Sequence, residues 1–135
     1  MSEADVKFLR ALEACRLPNS GFRHRDHVRA AWLYVTRDGL PAAIDAMDAT
    51  IRHFAAHHGH ATKYHKTLTA AWVQLVAFHA ACHPASEFEE FAAMNPDLLD
   101  TALPMRFYSH ERLFSAQART HWIEPDRRAF PRVAP

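Results

Sequence analysis

Apolar residues recur along the chain three and four positions apart and never alternate in twos over a sustained run, a pattern that predicts helices throughout. Val6, Leu9, Leu12 and Cys15 mark a first helix behind Ser2, an N-cap with Asp5 three residues on. Pro18 to Gly21 breaks it. Val28, Ala31, Trp32 and Val35 mark a second helix that starts between Ser20 and Asp26 and runs to about Arg37, where Asp38-Gly39 stops it. Pro41 suits the first turn of a third helix, whose stripe is Ile44, Met47, Ile51 and Phe54 and whose end falls near His58-Gly59.

Thr62 is expected to cap a long fourth helix that Pro84 closes. That helix carries two adjacent stripes. One is Tyr64, Leu68, Ala71, Leu75, Phe78 and Cys82; the other is His65, Thr69, Trp72, Val76 and His79. So much apolar circumference calls for a central position with neighbours on several sides. Ser86 with Glu89 reads as a capping box for a short fifth helix over Glu87 to Met94. Asn95-Pro96 interrupts it, Asp97 can cap one more turn from Leu98 to Leu103, and Pro104 to Tyr108 reads as a connector. Ser109 then caps a last helix from His110 to Trp122. The segment EPDRRAFPRVAP holds three prolines and is expected to lie extended on the surface.

The fold class these elements predict is all-α: a single compact bundle of five to six helices over residues 1–123, with a Pro-rich C-terminal tail over 124–135. Composition agrees with one ordinary domain. The 135 residues are 49% hydrophobic, enough for a core without disulfide or metal staples. Sixteen basic and fifteen acidic residues leave a net charge of +1, which argues against a nucleic-acid partner and against a polybasic membrane anchor. No apolar run is long enough to span a bilayer, and MSEADVKFL lacks the layout of a signal peptide, so the expected location is cytoplasmic. Cys15 and Cys82 both fall in apolar helical patterns and are expected to be buried free thiols, not a redox pair.

Histidine changes the picture. There are eleven, five of them between His53 and His65. Three, His24, His27 and His65, fall at or just before the first turn of their helices. The positive end of the helix dipole there disfavours imidazolium and favours the neutral ring that a metal ligand or general base must be. His24 and His27 are three residues apart and would share a helix face. With His65 from a neighbouring helix they make a candidate three-histidine site for a divalent metal, zinc or iron, with positions left for water or a small molecule. The competing expectation is that all three are partly buried and hydrogen-bond to main-chain carbonyls or carboxylates.

His53, His57 and His58 sit in the last turns of the third helix, and His83 at the end of the fourth, where the dipole favours a charged ring. Trp32 and Trp72 lie on the histidine-bearing faces and, with Tyr64, are expected to wall a ligand pocket, or else to be plain core. Thr69 is placed to orient His65, or to bond back to its own helix. Lys63 opposes the dipole of the fourth helix, which suggests a carboxylate partner such as Asp26, or an anionic ligand. Arg119 is expected to pin the tail through Glu124 or Asp126. No Gly-rich phosphate loop or nucleophile elbow occurs, which disfavours nucleotide binding and serine hydrolysis.

The strings F-x-H-x-D-H-V-x-x-A-W-L-Y (Phe22, His24, Asp26, His27, Trp32), K-Y-H-x-T-x-T-x-x-W (Lys63, Tyr64, His65, Thr67, Thr69, Trp72), Y-S-x-E-R-L (Tyr108, Ser109, Glu111, Arg112) with Arg119, and E-P-D (Glu124, Pro125, Asp126) resemble a family of small all-helical bacterial proteins of uncharacterised activity. The resemblance covers most of the chain. It implies the fold and shared site positions, and no reaction. In that family pattern an acidic residue often follows the third histidine; here Lys66 stands in its place. Two functions are therefore expected: a histidine-lined pocket that holds a metal and acts on a small molecule, or a non-enzymatic helical module for protein–protein contact or homodimerisation.

Overall fold

The computed structural model describes residues 1–132, and all the regular structure among them is helical. There are seven α-helices: α1 (Glu3–Glu13), α2 (His24–Asp38), α3 (Leu40–His57), α4 (Lys66–Cys82), α5 (Phe88–Met94), α6 (His110–Leu113) and α7 (Ala116–Thr120). Four 3-10 turns, Asn19–Gly21, Ala61–Lys63, Pro96–Leu99 and Leu103–Arg106, join them. The all-α class is therefore as expected, and no described helix is long and apolar enough to cross a membrane.

Local capping chemistry sets most helix starts. Ser2 accepts from Asp5 N–H while the Asp5 carboxylate accepts from Ser2 N–H, a reciprocal box at α1. At α2 the Asp26 carboxylate reaches back to Arg23 N–H at 2.9 Å. Gly39, at φ 81°, is at once the last cap of α2 and the first of α3. A residue with a Cβ would be strained there, so glycine lets two long helices meet with a single residue between them.

The end of α1 is less usual. Arg16 N–H bonds Ala11 C=O and Cys15 N–H bonds Leu12 C=O, the paired pattern of a Schellman cap. The left-handed position is held by Cys15 (φ 57°), where glycine is the common choice. Burial of the Cys15 side chain offsets part of that strain.

α4 is central, as its broad apolar surface predicts, and packs against α2, α3 and α7. The side it buries is shifted, however. Thr67, Ala70, Ala71, Val73, Leu75 and Val76 are buried, while Phe78 is only half-buried and Cys82 is exposed. The expectation of two buried thiols therefore holds for Cys15 alone. α2 is also enclosed in its middle, with Ala30, Ala31, Trp32, Leu33 and Tyr34 all buried. Tyr34 hides its ring and satisfies its hydroxyl by donating to Glu13 at 2.7 Å and sharing a 2.9 Å bond with Thr50, which ties α1, α2 and α3 together.

The C-terminal third differs from the sequence reading. The helix expected from His110 to Trp122 is broken at Phe114. Ser115 adopts extended backbone and its hydroxyl accepts from Ala118 N–H, so a second N-cap restarts the chain as α7. The Ser86–Glu89 capping box does not form; Glu87 precedes α5 and makes no side-chain cap. The chain after α7 runs extended over the bundle. Tyr108 O–H donates to Ile123 C=O at 2.6 Å, Asp126 accepts from both Ser109 N–H and Ser109 O–H at 2.7 Å, and Phe130 packs on Phe107, Tyr108 and Trp122. Arg112, not Arg119, reaches the tail, donating to Glu124 C=O at 2.6 Å. Arg119 instead meets Lys63 C=O at 3.5 Å. Residues 133–135 of the expected tail lie outside the described residues.

Candidate functional site

α2 and α4 bring the histidine-bearing helix starts side by side, but they use the three rings in three ways. His65 is the N-cap of α4 itself, in extended backbone, and Thr62 lies back in a 3-10 turn without capping the helix. Its Nδ1 accepts from Leu68 N–H at 3.0 Å. Its Nε2 lies 2.6 Å from Leu113 C=O, which can only accept, so Nε2 carries the proton. Both nitrogens of a neutral ring are thus spent on the fold, one starting α4 and one clamping α6. Burial lowers the His65 pKa, and Arg119 lowers it further, against the opposing pull of the Leu113 carbonyl.

His24 occupies the first position of α2. Its Nε2 donates to Leu98 C=O at 2.9 Å, and its ring packs on Trp72 at 4.5 Å between centroids. His27, one turn on, takes no side-chain hydrogen bond among the described residues. Its ring lies 4.1 Å from that of Phe22 and lines a cavity. Burial, reinforced by the neighbouring His24 and only partly countered by Asp26, pushes its pKa down to about 4. At both His27 and His65 burial is the first cause of the lowered pKa and favours the neutral ring.

The expected metal centre finds no support in the geometry. Among the described residues no group of three or more histidine, cysteine, aspartate or glutamate side chains is arranged to hold an ion. The reason is visible at His65. A metal needs an imidazole lone pair, and the only lone pair on this ring is already bound to Leu68 N–H. His24 faces a carbonyl and an indole. With the His65 lone pair committed, the three rings do not offer three lone pairs to one ion.

What the structure does form is a pocket of about 270 Å³. Phe22, Phe54 and Trp72 give it aromatic walls, with Met47, Ile51 and Leu68 between them. Of the residues singled out from sequence, His27, Lys63, Tyr64, His65, Thr69 and Trp72 all line it. His24 stands behind Trp72 and does not line it. Trp32 is buried elsewhere, against Phe88 and Phe91 at 5.9 and 5.6 Å, and is core. Thr69 does not orient the His65 ring; its hydroxyl bonds back to His65 C=O at 2.9 Å.

Lys63 is exposed at the rim and makes no ion pair among the described residues, with Asp26 or any other acid. The carboxylate beside the pocket is Asp48. It accepts from the Tyr64 hydroxyl and pairs with Arg52 at 3.3 Å and Lys66 at 3.5 Å. Burial would raise the Asp48 pKa, but the Tyr64 and Arg52 hydrogen bonds and the Lys66 charge outweigh it and leave it lowered. The basic residue at 66 therefore has a structural task.

Sequence reasoning missed Phe22 and Phe54 as pocket walls and His60 as a rim residue. The helical period placed Phe54 on the buried stripe, but nothing local says that a stripe borders a void. A wider concavity of about 440 Å³ runs along the tail, but it is lined largely by exposed chain, including Arg127, Arg128 and Arg132. That groove is larger than the aromatic pocket, as is a cavity of about 460 Å³ beside α1, so volume does not select the site. The enclosed aromatic walls and the free imidazole favour the smaller pocket. The exposed large apolar side chains are Met1, Leu40, Met94, Leu99 and Phe114. No protein-family model, no curated protein and no solved structure matches the chain.

Proposed function

We propose that the protein binds a small, largely apolar molecule in the pocket between α2, α3 and α4, with His27 as its hydrogen-bond partner. One observation carries this reading. Of the three helix-start histidines, His24 and His65 are tied to main-chain groups, while the His27 ring faces the cavity and bonds to none of the described residues. A neutral imidazole offers one donor and one acceptor, and a cavity whose surface is mostly apolar strengthens whatever bond a ligand makes to it.

Binding is favoured over turnover. A general base needs a partner that fixes its tautomer and aim. The nearest acid in sequence, Asp26, is committed to the Arg23 main chain. The experiment is a titration with a panel of small aromatic and aliphatic molecules, followed through the His27 ring signals by NMR. Saturable shifts at His27 that disappear when Ala55→Phe fills the cavity support the reading. A panel that leaves His27 unmoved, or moves residues away from the pocket, overturns it.

A further inference from the structure

The charges around the pocket narrow the ligand class. No aspartate or glutamate lines the cavity. The one close carboxylate, Asp48, is turned to Tyr64, Arg52 and Lys66. The ionisable groups on the wall and rim are Lys63, His60, His27, His65 and Tyr64, and of these Lys63 brings a full positive charge that no described residue neutralises. The pocket also borders the first turns of two long helices, α2 at His27 and α4 at Leu68 and Thr69, whose electropositive ends share the sign of the lysine; the last turn of α3, at Phe54 and Ala55, opposes them with one electronegative end. A cationic ligand would meet positive potential without a counter-charge, and a neutral one would leave the lysine unanswered. A dianion such as a phosphate ester would be matched by one lysine only, with no arginine and no Gly-rich loop lining the cavity.

Resting on the binding function above, we infer that the pocket takes a small aromatic carboxylate, its ring against Trp72, Phe22 and Phe54, a polar ring substituent at His27 and its carboxylate at the mouth beside Lys63 and His60. Face and edge contacts with the three aromatic walls supply the apolar part of the affinity. The lysine supplies selection among molecules of the same shape.

The test uses three probes of one size: benzoate, benzamide and benzylammonium, each titrated calorimetrically into the full chain and into Lys63→Met. Lys63 is exposed, so the variant is expected to fold as the parent does. Benzoate should bind about tenfold tighter than benzamide, the gap should close in Lys63→Met, and added salt should narrow it in the parent. Benzamide or benzylammonium binding as well as benzoate overturns the charge inference and leaves the binding pocket standing. An equal gap in Lys63→Met overturns the role of the lysine. If none of the three binds, this inference falls, and the binding function is decided separately by the wider panel followed at the His27 ring.

Discussion

His65 and His27 begin from the same premises and end differently. Each stands at the start of a long helix, each borders the same pocket, and each is held neutral chiefly by burial. His65 lies at the N-cap, one residue before α4, so its Nδ1 can reach the N–H three residues on, as a serine or aspartate would. His27 is the fourth residue of α2. By then the N–H groups ahead of it are already paired within the helix, and its ring must find partners outside its own backbone. A shift of a few positions along a helix start separates a histidine that builds the fold from one left to meet a ligand.

The largest expected effect breaks the pair apart by stability. His65→Ala removes the cap of α4 and orphans the Leu113 carbonyl, and should cost about 3 kcal/mol in urea unfolding. His27→Ala loses only packing against Phe22 and should cost about 1 kcal/mol, well short of a fully buried aromatic. Equal losses would refute the distinction. Next comes Thr67→Val on the first turn of α4. Thr67 is fully buried, donates to His121 C=O at 2.7 Å and accepts from Ile123 N–H at 3.2 Å, so an isosteric apolar side chain strands both groups. The expected loss is about 2 kcal/mol, and it tests whether the His65 end of α4 is where the C-terminal chain is fastened.

The two rings also make a pH prediction. A His27 pKa depressed from 6.5 to about 4 means the unfolded chain takes up a proton that the folded chain refuses. Its contribution to stability is complete above the unfolded value and is lost as pH falls toward the folded one. His65, lowered in the same direction, acts in the same sense. Stability should drop by about 2 kcal/mol between about pH 7 and pH 5 from His27 alone. Denaturation of His27→Leu across that range should show a shallower slope than the parent. An unchanged slope would mean that the His27 ring titrates as it does in the unfolded chain. The smallest expected effect is none. Zinc added to tag-free protein should leave the unfolding midpoint where it was, because coordination would have to break the His65–Leu68 bond. A zinc-dependent rise that vanishes in His65→Ala would restore the three-histidine centre.

The pattern of apolar positions was enough for the all-α class and for the first three helices, because a helix start or stop is a local matter. Ser2, Gly39 and Ser109 act within four residues of themselves. It was enough as well to bring six of the eight marked residues to one pocket, since residues on one face of two packed helices tend to share a border. Trp32 was the failure of the same logic. A helix buried nearly all round has more than one inner face, and only the neighbours Phe88 and Phe91 decide which one is core.

From sequence alone, then, most of the chain's helices and the caps at Ser2, Gly39 and Ser109 could be read, because each depends on residues within a turn of one another. Which histidine is free could not. The acceptor that occupies His65 is a carbonyl 48 residues away, the carbonyl that holds His24 is 74 away, and the vacancy beside His27 is a gap left where three helices fail to close. Main-chain carbonyls carry no side-chain signature, and an unfilled volume has no sequence at all. Both belong to the packing of the whole molecule.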